Sequence, residues 1–218
     1  VDRMKYKLAV FDMDGTILNT LEDLADSTNY ALRKHGLPER TLEEVRTFVG
    51  NGIGKLIERA IPQGSGETVY RQVFDTFNDY YKDHCGDKTR AYEGIPELLM
   101  KIKNSGMKTA VVSNKADYGV QELCKEYFPG MFDYAVGEKE GIRRKPCPDS
   151  VNEVLRQMGV TKEEAVYIGD SDVDFETSRN AQMDVIMVGW GFRTESFLKE
   201  CGAPFVVHST EEVWEKLK

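Results

Sequence analysis

Cysteine is scarce and scattered: the four in 218 residues, Cys85, Cys124, Cys147 and Cys201, form no C-x-x-C pair. That argues against a disulfide framework or a zinc site, and a reducing compartment is the simpler setting. No apolar run approaches the ~20 residues that a membrane-spanning helix requires. The first residues lack the apolar core of a signal peptide, so the expectation is a cytoplasmic protein with no membrane partner. A basic stripe is missing as well. The net charge is -8, with acidic and basic residues interleaved, which argues against a nucleic-acid partner. A phosphorylated metabolite stays open as a partner, because a few focused cations outweigh a negative average.

What the chain does have is a recurring short apolar run followed by a helix-period segment. Leu8-Ala9-Val10-Phe11, Thr109-Ala110-Val111-Val112, Ala165-Val166-Tyr167-Ile168 and Val185-Ile186-Met187-Val188 are the clear cases. Tyr134-Ala135-Val136 and Phe205-Val206-Val207 are weaker ones. Runs this short, β-branched and apolar on both faces suit buried strands of a parallel sheet. The segments between them, such as Ile95 to Lys103 and Ser150 to Met158, read as helices. The fold class predicted is therefore α/β, a Rossmann-like parallel sheet with helices on both faces.

Between about Thr20 and Thr89 the alternation stops and only helical patterns remain. Leu21, Leu24, Ala25, Thr28, Ala31 and Leu32 share one face at i, i+3, i+4 spacing. Gly36-Leu37-Pro38 ends that helix, and Thr41-Leu42-Glu43-Glu44 reads as a capped start. A further helix is predicted from Glu67 to His84. The domain reading is a catalytic core of residues 1–19 and 89–218, with 20–88 inserted as an all-helical cap.

Carboxylates cluster where strands end. Asp12-Met13-Asp14-Gly15-Thr16 follows the first strand, and Gly169-Asp170-Ser171-Asp172-Val173-Asp174 follows Ala165 to Ile168. Turn chemistry explains the first segment equally well when it is taken alone. Yet Ser113-Asn114-Lys115 ends another strand, and open α/β sheets bind ligands beyond the carboxyl ends of their strands. Three carboxylates converging there repel one another unless a cation neutralises them. An all-oxygen set favours a hard ion, most simply Mg2+.

Asp12-Met13-Asp14-Gly15-Thr16, Ser113-Asn114, Lys145-Pro146 and Gly169-Asp170-Ser171 to Asp174 together resemble the four motifs of the haloacid dehalogenase superfamily. The resemblance implies main strands ordered 3-2-1-4-5 around Asp12. It implies Asp12 as nucleophile and Asp14 as acid and then base, with Thr16 steadying Asp14. Ser113 and the Asn114 backbone amide would grip phosphate, and Lys145 would supply positive charge. Asp170 would bind Mg2+ with an Asp12 oxygen and the Asp14 carbonyl, and Asp174 would serve the metal shell or orient Lys145. Asp172 falls at a variable position. In the superfamily's dehalogenases the position matching Asp14 is not Asp, so its presence points to phosphoryl transfer.

The segment Val45 to Gly54 resembles the cap loop of phosphoglycolate phosphatases, and the likeness runs on through Leu56 to Ala60. It implies that Gly50, Asn51 and Gly52 bring backbone amides to an anionic substrate; a plain interhelical turn accounts for those glycines equally well. Lys55 and Arg59 are carboxylate partners or surface residues. The reading is thus a Mg2+-dependent phosphatase, monomeric or homodimeric, with 2-phosphoglycolate as best substrate. A mutase of the β-phosphoglucomutase type, a pyrophosphatase and a nucleotidase are the alternatives. A non-catalytic phosphate-binding protein fits less well, because binding alone needs no nucleophile.

Overall fold

The computed structural model describes residues 3–218. Strand β1 (Leu8–Phe11) is buried at every position. A tight turn leads to β2 (Leu18–Asn19), and then come the helices α1 (Leu21–Lys34), α2 (Leu42–Phe48), α3 (Ile53–Ala60) and α4 (Gly66–His84). Strand β3 (Arg90–Ala91) pairs with β2 in a two-stranded ribbon. Beyond it the chain alternates through α5 (Ile95–Asn104), β4 (Lys108–Ala116), α6 (Asp117–Tyr127), β5 (Tyr134–Glu138), α7 (Asp149–Met158) and β6 (Ala165–Gly169). It finishes with α8 (Asp172–Asn180), β7 (Asp184–Val188), α9 (Glu195–Glu200), β8 (Val206–Val207) and α10 (Thr210–Leu217). None of the described helices is long and apolar enough to cross a membrane.

Six strands form one sheet in the order β5-β4-β1-β6-β7-β8, every neighbouring pair parallel. The first five of these are the 3-2-1-4-5 order that the resemblance implies, and β8 adds an edge. The register pairs Leu8 with Lys108 on one side and with Ala165 on the other. The ladder runs one residue past β1, where Asp12 N donates to Ile168 O at 3.0 Å. Leu8, Val10, Ala110, Val112, Ala165 and Tyr167 pack with Val151, Val154 and Leu155 of α7. Burying each of the larger side chains contributes about 1.5–3 kcal/mol, which makes this centre the rigid floor beneath the strand ends.

The chain divides into two compact units, one of Asn19–Arg90 and one of Ala91–Lys218 with the segment up to Leu18. In the helical unit, Leu21, Leu24, Ala25, Thr28, Ala31 and Leu32 are the buried face of α1, as their spacing predicts. Asp23 is buried beside them because it accepts from the backbone N–H of Lys88 and Thr89 and from the Thr89 hydroxyl, at 2.7–3.1 Å. Thr41 opens α2 with a reciprocal capping box to Glu44.

Candidate active site

The turn after β1 is built on a single carbonyl: the N–H groups of Thr16, Ile17 and Leu18 lie 3.0–3.2 Å from Met13 O. Gly15 makes this possible. Its φ is +89°, and a Cβ there would sit 2.2 Å from Asp170 Oδ2, so no other residue fits without displacing that carboxylate. Asp12 is almost fully buried, while the Asp14 side chain is one-fifth exposed and its Oδ1 lies 3.3 Å from Lys115 Nζ.

Strand β4 stays extended past its apolar run, but its register with β5 shifts between Val112 and Ala116. Such a bulge re-aims the side chains it carries. Ser113 Oγ accepts from Lys115 N at 3.0 Å within it. The Asn114 amide reaches the other way, accepting from Lys145 N at 2.8 Å and donating to Lys145 O at 3.0 Å. Through that pair of bonds the loop carrying Lys145 is fastened to the end of β4. The Lys145 ammonium lies 2.9 Å from Asp12 Oδ1, 3.0 Å from Asp174 Oδ1, 3.0 Å from Val112 O and 2.8 Å from the Tyr167 hydroxyl.

After β6 the chain delivers Asp170 and Asp174. Thr16 donates its hydroxyl to Asp170 Oδ1 at 2.9 Å, and Phe192 N donates to Asp170 Oδ2 at 2.9 Å. Asp174 Oδ2 accepts from Asp170 N, Ser171 N and the Ser171 hydroxyl at 3.0–3.2 Å. Its Oδ1 accepts from the Tyr167 hydroxyl at 2.7 Å and from the Lys145 ammonium at 3.0 Å. Ser171 completes the arrangement by capping α8.

Burial dominates the electrostatics. It pushes the Asp12 carboxyl well above its usual range, aided by the charge of Asp174 and opposed by Lys145. Asp170 is pushed up to about 7, by burial first and Asp174 second. Asp174 goes the other way: burial works against its charge, but Lys145 and the Tyr167 hydroxyl hold it below its ordinary value. Lys145 is likewise desolvated, and Asp12 and Asp174 still raise it above the usual ammonium value. Carboxylate oxygens from Asp12, Asp170 and Asp174 fall within 4.8 Å of one another. Two of these acids are pushed toward protonation, and all the donors are oxygen. The set fits a hard divalent cation.

The structure brings Asp12, Asp14, Thr16, Ser113, Asn114, Lys145, Asp170 and Asp174 into one unit at the strand ends. One expectation is corrected: the Thr16 hydroxyl steadies Asp170, not Asp14. Asp174 sits against Lys145 and two backbone amides, and Asp172 pairs with Arg193 at 3.2 Å. In the helical unit, Gly52 precedes α3 with φ 87°. Arg59 ties the same turn together, donating to Phe48 O at 2.8 Å and Asn51 Oδ1 at 3.1 Å. Lys55 pairs with Glu58 at 3.0 Å. Sequence reasoning misses Lys115, Tyr167 and the Phe192 amide. A lysine directly after Ser113-Asn114 and a phenol inside an apolar strand were the available signals for the first two; the amide left none.

Residues 9–188 match the family model of haloacid dehalogenase-like hydrolases. A phosphoglycolate phosphatase of Aquifex aeolicus is 30% identical over 85% of this chain and 86% of its own length. An N-acetylmuramic acid 6-phosphate phosphatase of Pseudomonas aeruginosa is 29% identical over 97% of this chain and 94% of its own. The crystal structure of a predicted phosphoglycolate phosphatase from Lactobacillus delbrueckii subsp. bulgaricus superposes with a TM-score of 0.94 at 41% identity, covering 98% of this chain and 99% of that one.

Proposed function

We propose that this chain, which belongs to the haloacid dehalogenase-like hydrolases, is a Mg2+-dependent phosphatase of small phosphomonoesters that works through an aspartyl-phosphate on Asp12. The phosphatase class itself follows from the family and its phosphoglycolate phosphatase relatives. The observation that carries the mechanism is the buried Lys145 ammonium, 2.9 Å from Asp12 and 3.0 Å from Asp174. Binding alone needs no buried carboxylate held beside a cation; a nucleophile does.

In this mechanism a carboxylate oxygen of Asp12 attacks phosphorus, and the ester P–O bond breaks. Asp14 gives its proton to the departing alkoxide. It then takes a proton from water, whose oxygen attacks the acyl phosphate, releasing orthophosphate and restoring Asp12. The Ser113 hydroxyl and the Asn114 amide hold phosphate oxygens, and Lys145 offsets the charge that builds up on the transferring group. Mg2+, when bound by Asp12, Asp170 and the Asp14 carbonyl, supplies charge neutralisation to the phosphoryl oxygens. Asp174 keeps Lys145 and the Asp170 loop in place.

We assign residues 20–88 as the family's cap domain, with Gly50, Asn51 and Gly52 as its selectivity turn and 2-phosphoglycolate as the preferred ester. The relatives of that name support the choice. The test is phosphate release by wild type and Asp12→Asn, with Mg2+ and with chelator. The panel holds 2-phosphoglycolate, N-acetylmuramic acid 6-phosphate, hexose phosphates, pyrophosphate and nucleoside monophosphates. Mg2+-dependent release that falls at least ~1,000-fold in Asp12→Asn is expected, in line with loss of a nucleophile. Equal release by both proteins would discard Asp12 as nucleophile.

A further inference from the structure

We propose that Lys115 determines specificity in this site, its ammonium receiving the carboxylate of the leaving group in a phosphorylated hydroxy acid. The inference rests on the assignment above of Asp14 as the group that protonates the departing oxygen.

Lysine is seldom buried without a defined partner, yet the Lys115 side chain is only 4% exposed, with Asp14 Oδ1 3.3 Å from its ammonium. Two lysines thus flank the reacting centre, with different neighbours. Lys145 sits on Asp12 and Asp174, on the nucleophile's side of phosphorus. Lys115 sits on the carboxylate that must touch the ester oxygen as it leaves, which is the side where the substrate's organic part lies. In phosphoglycolate a single methylene separates that oxygen from a carboxylate. An acid of this shape therefore carries its negative charge to the ammonium as its ester oxygen meets Asp14. A neutral alcohol brings no charge there.

The backbone fixes this placement. At Gly137 a Cβ would lie 2.4 Å from Lys115 O and 2.7 Å from Asp117 Cα, so β5 packs directly on the bulge. Gly137 N also donates to Asp117 Oδ1 at 2.8 Å, and Lys115 N is bonded to Ser113. At Gly119 a Cβ would lie 3.3 Å from Lys115 Cδ. The missing side chain in the first turn of α6 leaves the channel in which the lysine stem runs.

The experiment measures kcat/KM for 2-phosphoglycolate and for 2-hydroxyethyl phosphate, which replaces the carboxylate by a neutral hydroxymethyl group. Wild type, Lys115→Met, Lys115→Arg and Gly119→Ala are compared with Mg2+ present. Wild type favours the carboxylate ester, and Lys115→Met lowers that preference about 30-fold, as loss of a charge-assisted hydrogen bond predicts. Lys115→Arg recovers part of it. Gly119→Ala, which leaves the ammonium itself untouched, shifts the preference in the same direction by a smaller factor. It is the independent reading if Lys115→Met fails to fold. Equal losses on both esters would place Lys115 on Asp14 alone and overturn the proposal, as would an unchanged ratio. Wild type with no preference overturns it while leaving the Asp12 reaction intact. Wild type inactive on both esters overturns this proposal and the choice of 2-phosphoglycolate, and the Asp12 reaction is then judged on the wider ester panel.

Discussion

Asp174 is the residue through which the site's parts constrain one another. Its Oδ2 collects two backbone amides and the Ser171 hydroxyl, and its Oδ1 meets Lys145 and Tyr167. All of these groups are buried, so their attraction is little screened by solvent. Asp174→Ala leaves Lys145 one carboxylate short and several donors unpaired. The expected cost is about 3 kcal/mol, the low end for breaking a buried pair because Asp12 remains. A lower urea midpoint should accompany at least a ten-fold fall in kcat, since Lys145 loses its fixed position. Asp174→Asn, which keeps the shape and part of the bonding, should fall between. Unchanged kcat in Asp174→Ala would show that Lys145 needs no such support.

At the scale of elements, caps and bulges matter as much as strands. The Thr41 box at the start of α2, with Glu44 N 3.1 Å from Thr41 Oγ1 and Thr41 N 3.0 Å from the Glu44 side chain, stands in the helical unit. Thr41→Ala should cost that unit about 1 kcal/mol, with kcat for 2-phosphoglycolate within two-fold, roughly 0.4 kcal/mol, of wild type. Hydrogen exchange of α2 amides would read the first effect and steady-state assay the second. This cap was legible in the sequence, as were β1 and β6, because burial on both faces forces an unbroken apolar run. The rest of β4 was not. Ser113 to Lys115 is polar and lies within the bulge, held extended by side-chain bonds and by contact with Gly137, none of which periodicity reports. The same limit explains Thr16. The family motif implies that its hydroxyl steadies Asp14, but past the left-handed Gly15 it meets Asp170, 154 residues away. Tyr167 was hidden for a related reason: its ring belongs to the apolar strand, and only its hydroxyl reaches the acids.

For the whole molecule, a net charge of -8 and a buried acidic cluster act in the same direction on a divalent cation. Asp12 and Asp170 are both pushed toward protonation, so holding them ionised side by side works against the folded state. A cation bound among them removes that penalty and adds its own binding energy to the native state. Saturation at 100 times the dissociation constant stabilises by about 2.7 kcal/mol, roughly a 5–10 °C rise in Tm for a chain of this size. Mg2+ should produce that rise, and added salt should diminish it by screening the long-range part. Asp170→Asn sharpens the expectation, because it removes a charge from the cluster and a ligand from the ion. Its metal-free Tm should equal or exceed wild type's, while its gain from Mg2+ largely disappears. Calorimetry of both proteins with chelator and with Mg2+ reads the two effects separately. An equal Mg2+ gain in both would place the bound ion away from Asp170, and a lower metal-free Tm in the variant would make that carboxylate a structural hydrogen-bond acceptor for Thr16 and Phe192 first.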